Sequence, residues 1–416
     1  MTRIFHGNFV YARSGKELVE EKDAYLVVRD GVIEGTYPVL PDEYAGAAVE
    51  DLGADVLIPA FSDLHVHAPQ YPQRGVKTDV LLYDWLHRYT FPLEEKFADV
   101  SFAEDAYESF VEDMLAHGTM HAAVYGTIHR ESTGILIEKL EKRGFLSYVG
   151  KVNMDVDSPD GLRETPASSI SETERFLDAY GKNIYARPIL TPRFAPTCSR
   201  ELLVGLGKLA KKYAVGVQTH LVESKWEKEE SVRRFPDCSC DTEIYEKTGL
   251  LGYGPLIGGH FMYPSDEDIR ILKKYGGYAV QCPDATINVI AGIMPTAKLF
   301  DAGVDLAFGS DVAAGASVAV YQEVARSVQL SKIKALYEGV EPIAFSQAFF
   351  MATKGGGSLF GKVGSLEKGY RFDALVVKNN GDRFAPLTPT EVVERFCYAG
   401  EKADIVKKYM NGEEIK

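Results

Sequence analysis

Two histidines, His65 and His67, stand one residue apart at the end of an apolar stretch, PAFSDLHVHAPQY (59–71). If this stretch is a β-strand, side chains two positions apart share one face, so both imidazoles could reach the same point. Neutral imidazole nitrogens are common zinc ligands. A lone strand histidine is usually structural, so this pair indicates a metal site only if further ligands join it.

Three other residues close predicted strands farther along the chain. His220 ends AVGVQTH, His260 ends PLIGGH and Asp311 ends LAFGSD. Neutral imidazoles with a carboxylate suit zinc, and such a set leaves an open position for water. Together the five strand-end positions predict a metal site. The remaining histidines lack this placement and are set aside: His6, His87, His117, His121 and His129.

The elements that must position these side chains alternate along the middle of the chain. The strand candidates are LIPAFSDLHVH, AAVYGTI, FLSYVGKVNM, IYARPILTPR, AVGVQTH, PLIGGHF, YAVQCP and VDLAFGSD. Amphipathic helical stretches lie between them. Strands alternating with helices over about 300 residues predict a (β/α)₈ TIM-type barrel, whose C-terminal strand ends surround one mouth. An open doubly wound sheet is the alternative, weakened because no glycine-rich phosphate loop follows the first strand.

Both ends of the chain have the pattern of short strands. IFHGNFVYA and AYLVVRDGVIEG precede the barrel, and GSLEKGYRFDALVVKN and VKKYMNGEEI follow it, with DG and NG as turn dipeptides. We therefore predict a small β-sandwich domain from residues 1–58 and 365–416, and a metal-dependent barrel hydrolase over 59–364. Capping boxes are predicted at Ser101 with Glu104 and at Ser171 with Glu174.

Composition and charge argue against several function classes. The chain has 416 residues, 45% of them hydrophobic, and a net charge of −14. This acidity, without a basic run, argues against a nucleic-acid or membrane-surface partner. We read no signal peptide and no run of membrane-span length. The sparse cysteines favour a reducing cytoplasm, and Cys238 and Cys240 are expected to be loop thiols rather than metal ligands.

Glu223 follows His220 by three residues in THLVES. A carboxylate beside a metal site is suited to moving protons. The alternative is a solvated loop acid, because ESKWEKEE continues with other acids. Two-metal barrels of this kind typically need a lysine carbamate at the end of strand four, and here that strand ends in ILTPRF. We therefore expect one metal ion per chain.

Several segments of the chain are similar to those of the amidohydrolase superfamily and, within it, of the guanine deaminases: HVHAPQY, LLYDWLHRYTFPLE, LTPRFAPTCS, THLVES and GSDVAAG. The resemblance covers nearly the whole chain. It implies one zinc ion held by His65, His67, His220 and Asp311. It implies catalytic roles for Glu223, His260 and Asp311, and substrate contacts from Gln70, Arg193, Phe194, His220 and Glu223. For Arg193 the alternative is a structural ion pair at the barrel rim.

The activity that the resemblance implies is hydrolytic deamination of guanine to xanthine and ammonia in purine catabolism. It implies a cytoplasmic homodimer that binds a small-molecule purine base. Two stretches depart from the family pattern, CPDATINVIAG and Ala314 in DVAAG. One rival is a deaminase of another aminoheterocycle (a pterin, 8-oxoguanine or a triazine), which Gln70 and Arg193 would discriminate. A more distant rival is a non-enzymatic binding protein of this fold, which retention of every metal ligand disfavours.

Overall fold

The computed structural model describes residues 1–381 and 384–416 of the chain. In chain order its strands are β1 (Thr2–Ser14), β2 (Glu17–Arg29), β3 (Val32–Tyr37), β4 (Glu50–Pro59), β5 (Phe61–His67), β6 (Thr119–Tyr125), β7 (Leu146–Gly150), β8 (Val152–Asn153), β9 (Ala186–Pro188), β10 (Thr191–Pro192), β11 (Val217–Leu221), β12 (Leu256–His260), β13 (Tyr278–Gln281), β14 (Asp305–Phe308), β15 (Ala374–Val377), β16 (Ile405–Met410) and β17 (Glu413–Ile415). Its α-helices are α1 (Leu82–Trp85), α2 (Phe91–Glu94), α3 (Val100–Ala116), α4 (Arg130–Lys142), α5 (Pro166–Tyr180), α6 (Arg200–Tyr213), α7 (Lys225–Arg234), α8 (Asp241–Lys247), α9 (Asp266–Lys274), α10 (Pro283–Asn288), α11 (Thr296–Asp301), α12 (Val320–Glu338), α13 (Phe345–Phe350) and α14 (Pro389–Ala399).

Parallel strands form a closed barrel in the middle of the chain. The order β5-β6-β7-β9 makes one half, and β11-β12-β13-β14 makes the other. A parallel bridge between Leu190 and Val217 joins the halves on one side. On the other side the Asp311 amide donates to the His65 carbonyl oxygen over 2.9 Å. The predicted (β/α)₈ barrel is confirmed, and the open sheet is wrong because both edges are joined.

Strands from the two ends of the chain form one separate sheet. Its order is β17-β16-β15-β4-β1-β2-β3. The predicted DG and NG turns connect its hairpins, with positive φ at both residues of each turn, as tight hairpin turns require. Aromatic side chains of both ends, Phe5, Phe372 and Tyr409, pack within 5.4 Å of one another between ring centroids. This apolar contact holds the N- and C-terminal segments together.

Both predicted capping boxes are wrong, because helices α3 and α5 are capped by residues that precede the predicted ones. Helix α3 begins after Asp99, whose carboxylate accepts from the Ser101 amide, so Ser101 lies inside the first turn. Helix α5 begins after Thr165, and Ser171 lies in its interior. In each case an earlier residue with a suitable side-chain oxygen already satisfies the free amides of the first turn.

The state of the cysteines and the apolar character of the helices are two further features of the fold. The cysteines are free thiols and each is buried. Within residues 1–381 and 384–416, no helix combines the length and apolar character needed to cross a membrane.

Candidate functional site

Three barrel strands carry the predicted metal ligands to one point, within them or just beyond their ends. Strand β5 carries His65 and His67, β11 carries His220, and Asp311 lies three residues beyond β14. All of these side chains are buried. We call His65, His67, His220 and Asp311 the ligand group. The alternation of side chains along β5 brings His65 and His67 to the same interior face, as the sequence predicted.

Distances within the ligand group fit a single metal ion. Asp311 Oδ1 lies 3.4 Å from the Nε2 atoms of both His65 and His67. The Nε2 atoms of His67 and His220 are 3.2 Å apart. Tetrahedral ligands about 2.0–2.1 Å from zinc would be separated by roughly 3.3–3.4 Å. These three separations therefore match those between ligands of one common ion.

Unpartnered nitrogens in the ligand group also favour a cation. His65 Nδ1, His65 Nε2 and His67 Nδ1 are buried without a hydrogen-bond partner, which is costly for polar groups. Burial, together with charge on the neighbouring imidazoles, lowers the pKa of His65, His67 and His220 well below the usual histidine value. The imidazoles are thus neutral, which is the form that binds metals.

Hydrogen bonds behind the ligand group fix its orientation. His220 Nδ1 donates to the Arg193 carbonyl oxygen over 2.6 Å, so its Nε2 is left free to face the ligand group. Asp63 accepts from the Ser310 hydroxyl and from the amides of His65 and Ser310. Burial raises the pKa of Asp63 to about 7. The sequence analysis missed Asp63 and Ser310, although each adjoins or nearly adjoins a ligand in sequence.

Glu223, His260 and Asp311 surround a gap beside the ligand group. His260 Nε2 lies 3.7 Å from Glu223 Oε1 and 3.8 Å from Asp311 Oδ2. Glu223 is only 8% exposed, so the solvated loop acid does not hold. Its amide donates to Glu227 Oε2 over 2.7 Å. Burial raises the pKa of Glu223 above the usual value for glutamate, and a raised pKa suits a group that exchanges protons near neutral pH.

Gln70 and Arg193 meet on another wall of the same cavity, joined by Glu94. Glu94 Oε1 accepts from Gln70 Nε2, and Glu94 Oε2 accepts from Arg193 Nη1, each over 2.8 Å. We call Gln70, Glu94 and Arg193 the recognition group. The ion pair foreseen as the alternative for Arg193 is present, yet Arg193 also lines the cavity. Sequence reasoning did not single out Glu94.

The cavity that contains both groups has a volume of about 700 Å³. Phe194 lines it, with its ring centroid 6.3 Å from that of His220. His87, which was set aside, also lines it and stacks on Tyr83 with centroids 4.1 Å apart. Trp226 lines the rim beside Phe194, and no sequence signal pointed to it.

The two stretches that depart from the family pattern support the cavity wall. Ala314 lines the cavity, and its carbonyl oxygen accepts from Asn288 Nδ2 over 2.7 Å. The Ala316 amide donates to Asp284 Oδ2 over 2.7 Å. Both acceptor and donor side chains belong to α10, within CPDATINVIAG. These residues therefore hold the loop that follows Asp311.

Metal-ligating atoms converge in two overlapping groups within the part of the chain that the structure describes. One is His65, His67 and His220, and the other is His65, His260, Cys282 and Asp311. Cys282 was not predicted, and burial raises the pKa of its thiol well above the usual value. Cys238 and Cys240 belong to neither group.

Comparison with known proteins gives one consistent result. Residues 56–414 match the amidohydrolase family. The chain is 35% identical over 408 residues to a guanine deaminase of Dictyostelium discoideum, covering 95% of this chain and 88% of that protein. It is 32% identical over 378 residues to the guanine deaminase of Homo sapiens, covering 87% and 83% of the two chains. The crystal structure of a guanine deaminase from C. acetobutylicum with guanine bound in the active site superimposes with a TM-score of 0.97, at 39% identity and 100% coverage of both chains.

Proposed function

The chain belongs to the amidohydrolase family, and we propose that it catalyses the hydrolytic deamination of guanine to xanthine and ammonia. One observation carries this proposal: three members of the ligand group (His67, His220 and Asp311) line the same cavity as Gln70 and Arg193 of the recognition group. The similarity to guanine deaminases over most of the chain supports it. A non-enzymatic binding protein of this fold is disfavoured because every ligand is present.

We propose zinc as the metal, one ion per chain, held by His65, His67, His220 and Asp311. Imidazole and carboxylate donors suit this ion. When bound, zinc would lower the pKa of water from about 15.7 toward about 7, which supplies a nucleophile at neutral pH.

The recognition group would bind the polar edge of the base. The Arg193 guanidinium offers only N–H donors, and the oxygen at position six of guanine is an acceptor. Gln70 adds an amide beside it, and Phe194 presents a ring against which the base could pack. Adenine carries an amino group at position six, so donors of Arg193 would reject it. The side chains of His220 and Glu223 would contact the opposite end of the base.

Glu223 is the proposed proton shuttle. It would take a proton from the attacking water and deliver it to the ring, at N3, while the water attacks C2. His260 and Asp311 would orient the water and handle the second proton. The distances of 3.7 and 3.8 Å from His260 to Glu223 and Asp311 are too long for direct hydrogen bonds. All three side chains line the cavity, where one water beside them could contact each of them, which supports these roles.

We further propose that the protein acts in purine catabolism, as a cytoplasmic homodimer, without a nucleic-acid or membrane partner. Its family membership supports these expectations. Light scattering of the purified protein would test the dimer, and a monomer at micromolar concentration would contradict it.

Ultraviolet absorbance of the purified protein with guanine tests the main proposal. Guanine should be converted to xanthine with one equivalent of ammonia released. A panel of a pterin, 8-oxoguanine and a triazine should react more slowly than guanine. If one of these is turned over faster than guanine, the aminoheterocycle rival is correct. If none reacts in the zinc-loaded protein, the proposal of a deaminase fails.

A further inference from the structure

We propose that Glu94 is the positioning residue that sets base preference at this site. It fixes the amide orientation of Gln70 and the guanidinium plane of Arg193, and thereby favours a base with an oxygen at position six. The inference rests on the proposed function, because it assigns a purine to the recognition group. Nothing in the sequence pattern distinguished Glu94 from other acids.

Both carboxylate oxygens of Glu94 are engaged. Oε1 accepts from Gln70 and Oε2 accepts from Arg193, at 2.8 Å each. Glu94 is 2% exposed, so water cannot replace these donors. A carboxylate can only accept hydrogen bonds, and a buried carboxylate needs donors on both oxygens. Glu94 therefore imposes one arrangement on the two side chains that it joins.

For Gln70, the contact with Glu94 determines which partner the amide nitrogen faces and which partner the amide oxygen faces. Its Nε2 donates to Glu94, and its Oε1 accepts from the Ala313 amide over 3.3 Å. Rotating the amide by 180° would set donor against donor at Ala313 and acceptor against acceptor at Glu94. The orientation of Gln70 is thus fixed before any base binds. Ala313 lies two residues beyond Asp311, so the amide also connects the two groups of the cavity.

For Arg193, the Glu94 carboxylate neutralises the charge of the guanidinium and also fixes its orientation. Among the described residues, Glu94 is the side chain to which the guanidinium donates. The guanidinium carbon also lies 5.1 Å from the centroid of the Phe91 ring. Because Nη1 is tied to Glu94, the other N–H groups of this cavity-lining side chain remain for an acceptor on the base. The main chain of Arg193 is fixed separately, through its carbonyl contact with His220.

The variant Glu94→Gln keeps the shape of the side chain and removes this control. One acceptor oxygen becomes an NH₂ group, which would face a donor of either Gln70 or Arg193. That conflict is relieved only if Gln70 turns over or Arg193 moves away. Either change misplaces donors for the oxygen at position six, while the apolar walls that contact the rest of the base stay unchanged.

Binding of two unreactive bases separates positioning from general damage. Hypoxanthine carries the oxygen at position six but has no amino group to lose, and purine carries neither. Wild-type zinc-loaded protein should bind hypoxanthine more tightly than purine. In Glu94→Gln, hypoxanthine affinity should fall by roughly 10- to 150-fold, as expected for lost charge-assisted contacts. Purine affinity should stay within about threefold. Arg193→Met should show the same pattern, since Glu94 acts through Arg193.

A matched control is Glu164→Gln, which disrupts another buried ion pair. Lys151 is buried and donates to Glu164 over 2.7 Å, outside the recognition group. This variant should lose stability and keep the wild-type ratio of hypoxanthine to purine affinity. Should Glu94→Gln fail to fold, Glu94→Asp is the second test. It keeps the charge near Arg193 but is one methylene too short to reach Gln70 as well, so an intermediate loss of hypoxanthine preference is expected.

Three outcomes are distinguishable. Parallel weakening of hypoxanthine and purine in Glu94→Gln, or unchanged preference in Glu94→Asp, would make Glu94 merely structural and overturn the inference. Guanine turnover with a preference insensitive to Glu94 would overturn this inference alone. A wild-type protein that shows Glu94-dependent preference but deaminates no guanine would overturn the proposed function and leave the positioning role standing.

Discussion

In the ligand group, some buried polar atoms have no hydrogen-bond partner. In the recognition group, on another wall of the cavity, the side chains form hydrogen bonds with one another. Ring nitrogens of His65 and His67 have no hydrogen-bond partner. Glu94, in contrast, engages both of its neighbours through separate oxygens. The first wall is incomplete without a cation, and the second is already organised in the protein alone. Metal binding and base recognition should therefore be separable properties of one cavity.

Removal of the metal should have the largest effect on activity. It should abolish turnover, which depends on the ligand group, without affecting base binding by the recognition group. After dialysis against a strong chelator, guanine turnover should fall below detection, and re-addition of about one equivalent of zinc should restore it. Saturating zinc at 1,000 times its dissociation constant should raise the free energy of unfolding by about 4 kcal/mol. Hypoxanthine binding to the metal-free protein should change little, because the hydrogen bonds of Glu94 to Gln70 and Arg193 form without a metal.

Elemental analysis checks the stoichiometry. Two tightly bound ions per chain would contradict the argument from the missing lysine after strand four. Loss of hypoxanthine binding together with the metal would contradict the separation of the two walls, since it would show that the ion also organises the recognition group.

Glu223→Gln should have the next largest effect and leave both walls intact. The amide keeps the shape of the side chain but cannot accept and release a proton, so kcat should fall by about 10²–10⁴-fold. Zinc content and the preference for hypoxanthine over purine should match the wild type. Glu229→Gln, at an exposed position of helix α7, which begins two residues after Glu223, is the matched control. Equal turnover by the two variants would remove Glu223 from the mechanism.

The meeting of the five strand-end residues could be predicted from sequence because simple geometry determines it, whereas the choice of four of them as ligands came from the family resemblance. The alternation of β5 puts His65 and His67 on one face, and parallel strands closed into a barrel bring their carboxyl ends together. The role of Glu94 could not be predicted this way. It lies at the end of α2, after a π-helical turn over Leu86–Thr90, and its distance from Gln70 and Arg193 depends on how this segment packs over the mouth.

Helix caps show the same limit on a local scale. The pattern at Ser101 and Glu104 satisfies the rule for a capping box, yet Asp99 caps α3 instead. Residues competing for the same free amides cannot be ranked from the pattern alone. By comparison, Ser199 caps α6, and its side chain accepts from the Leu202 amide.

The smallest effect on activity is expected for substitution of two buried acids, Asp241 and Glu227, which support the main chain at Glu223. Asp241 Oδ2 accepts from the Val222 amide over 3.2 Å, and Glu227 accepts from the Glu223 amide. Burial raises the pKa of Asp241 to about 7, from a usual value of 3.8. It raises the pKa of Glu227 well above its usual value. These acids belong to neither the ligand group nor the recognition group, so they should affect stability rather than catalysis.

Asp241 should make the protein less stable as pH rises. Between about pH 4 and pH 7 the folded state retains the proton of Asp241, whereas the unfolded chain has released it, so the free energy of unfolding falls with increasing pH. At about 1.4 kcal/mol per pKa unit, the decrease due to this group should be about 4 kcal/mol. Urea unfolding from pH 4 to pH 8 should give a flatter pH profile for Asp241→Asn, in which Glu227 alone of this pair still titrates in this direction. Asp266→Asn, at a carboxylate that is 93% exposed, should follow the wild-type profile. A profile for Asp241→Asn as steep as that of the wild type would mean that the proton is held elsewhere in the pair, and that Asp241 supports Val222 in its charged form.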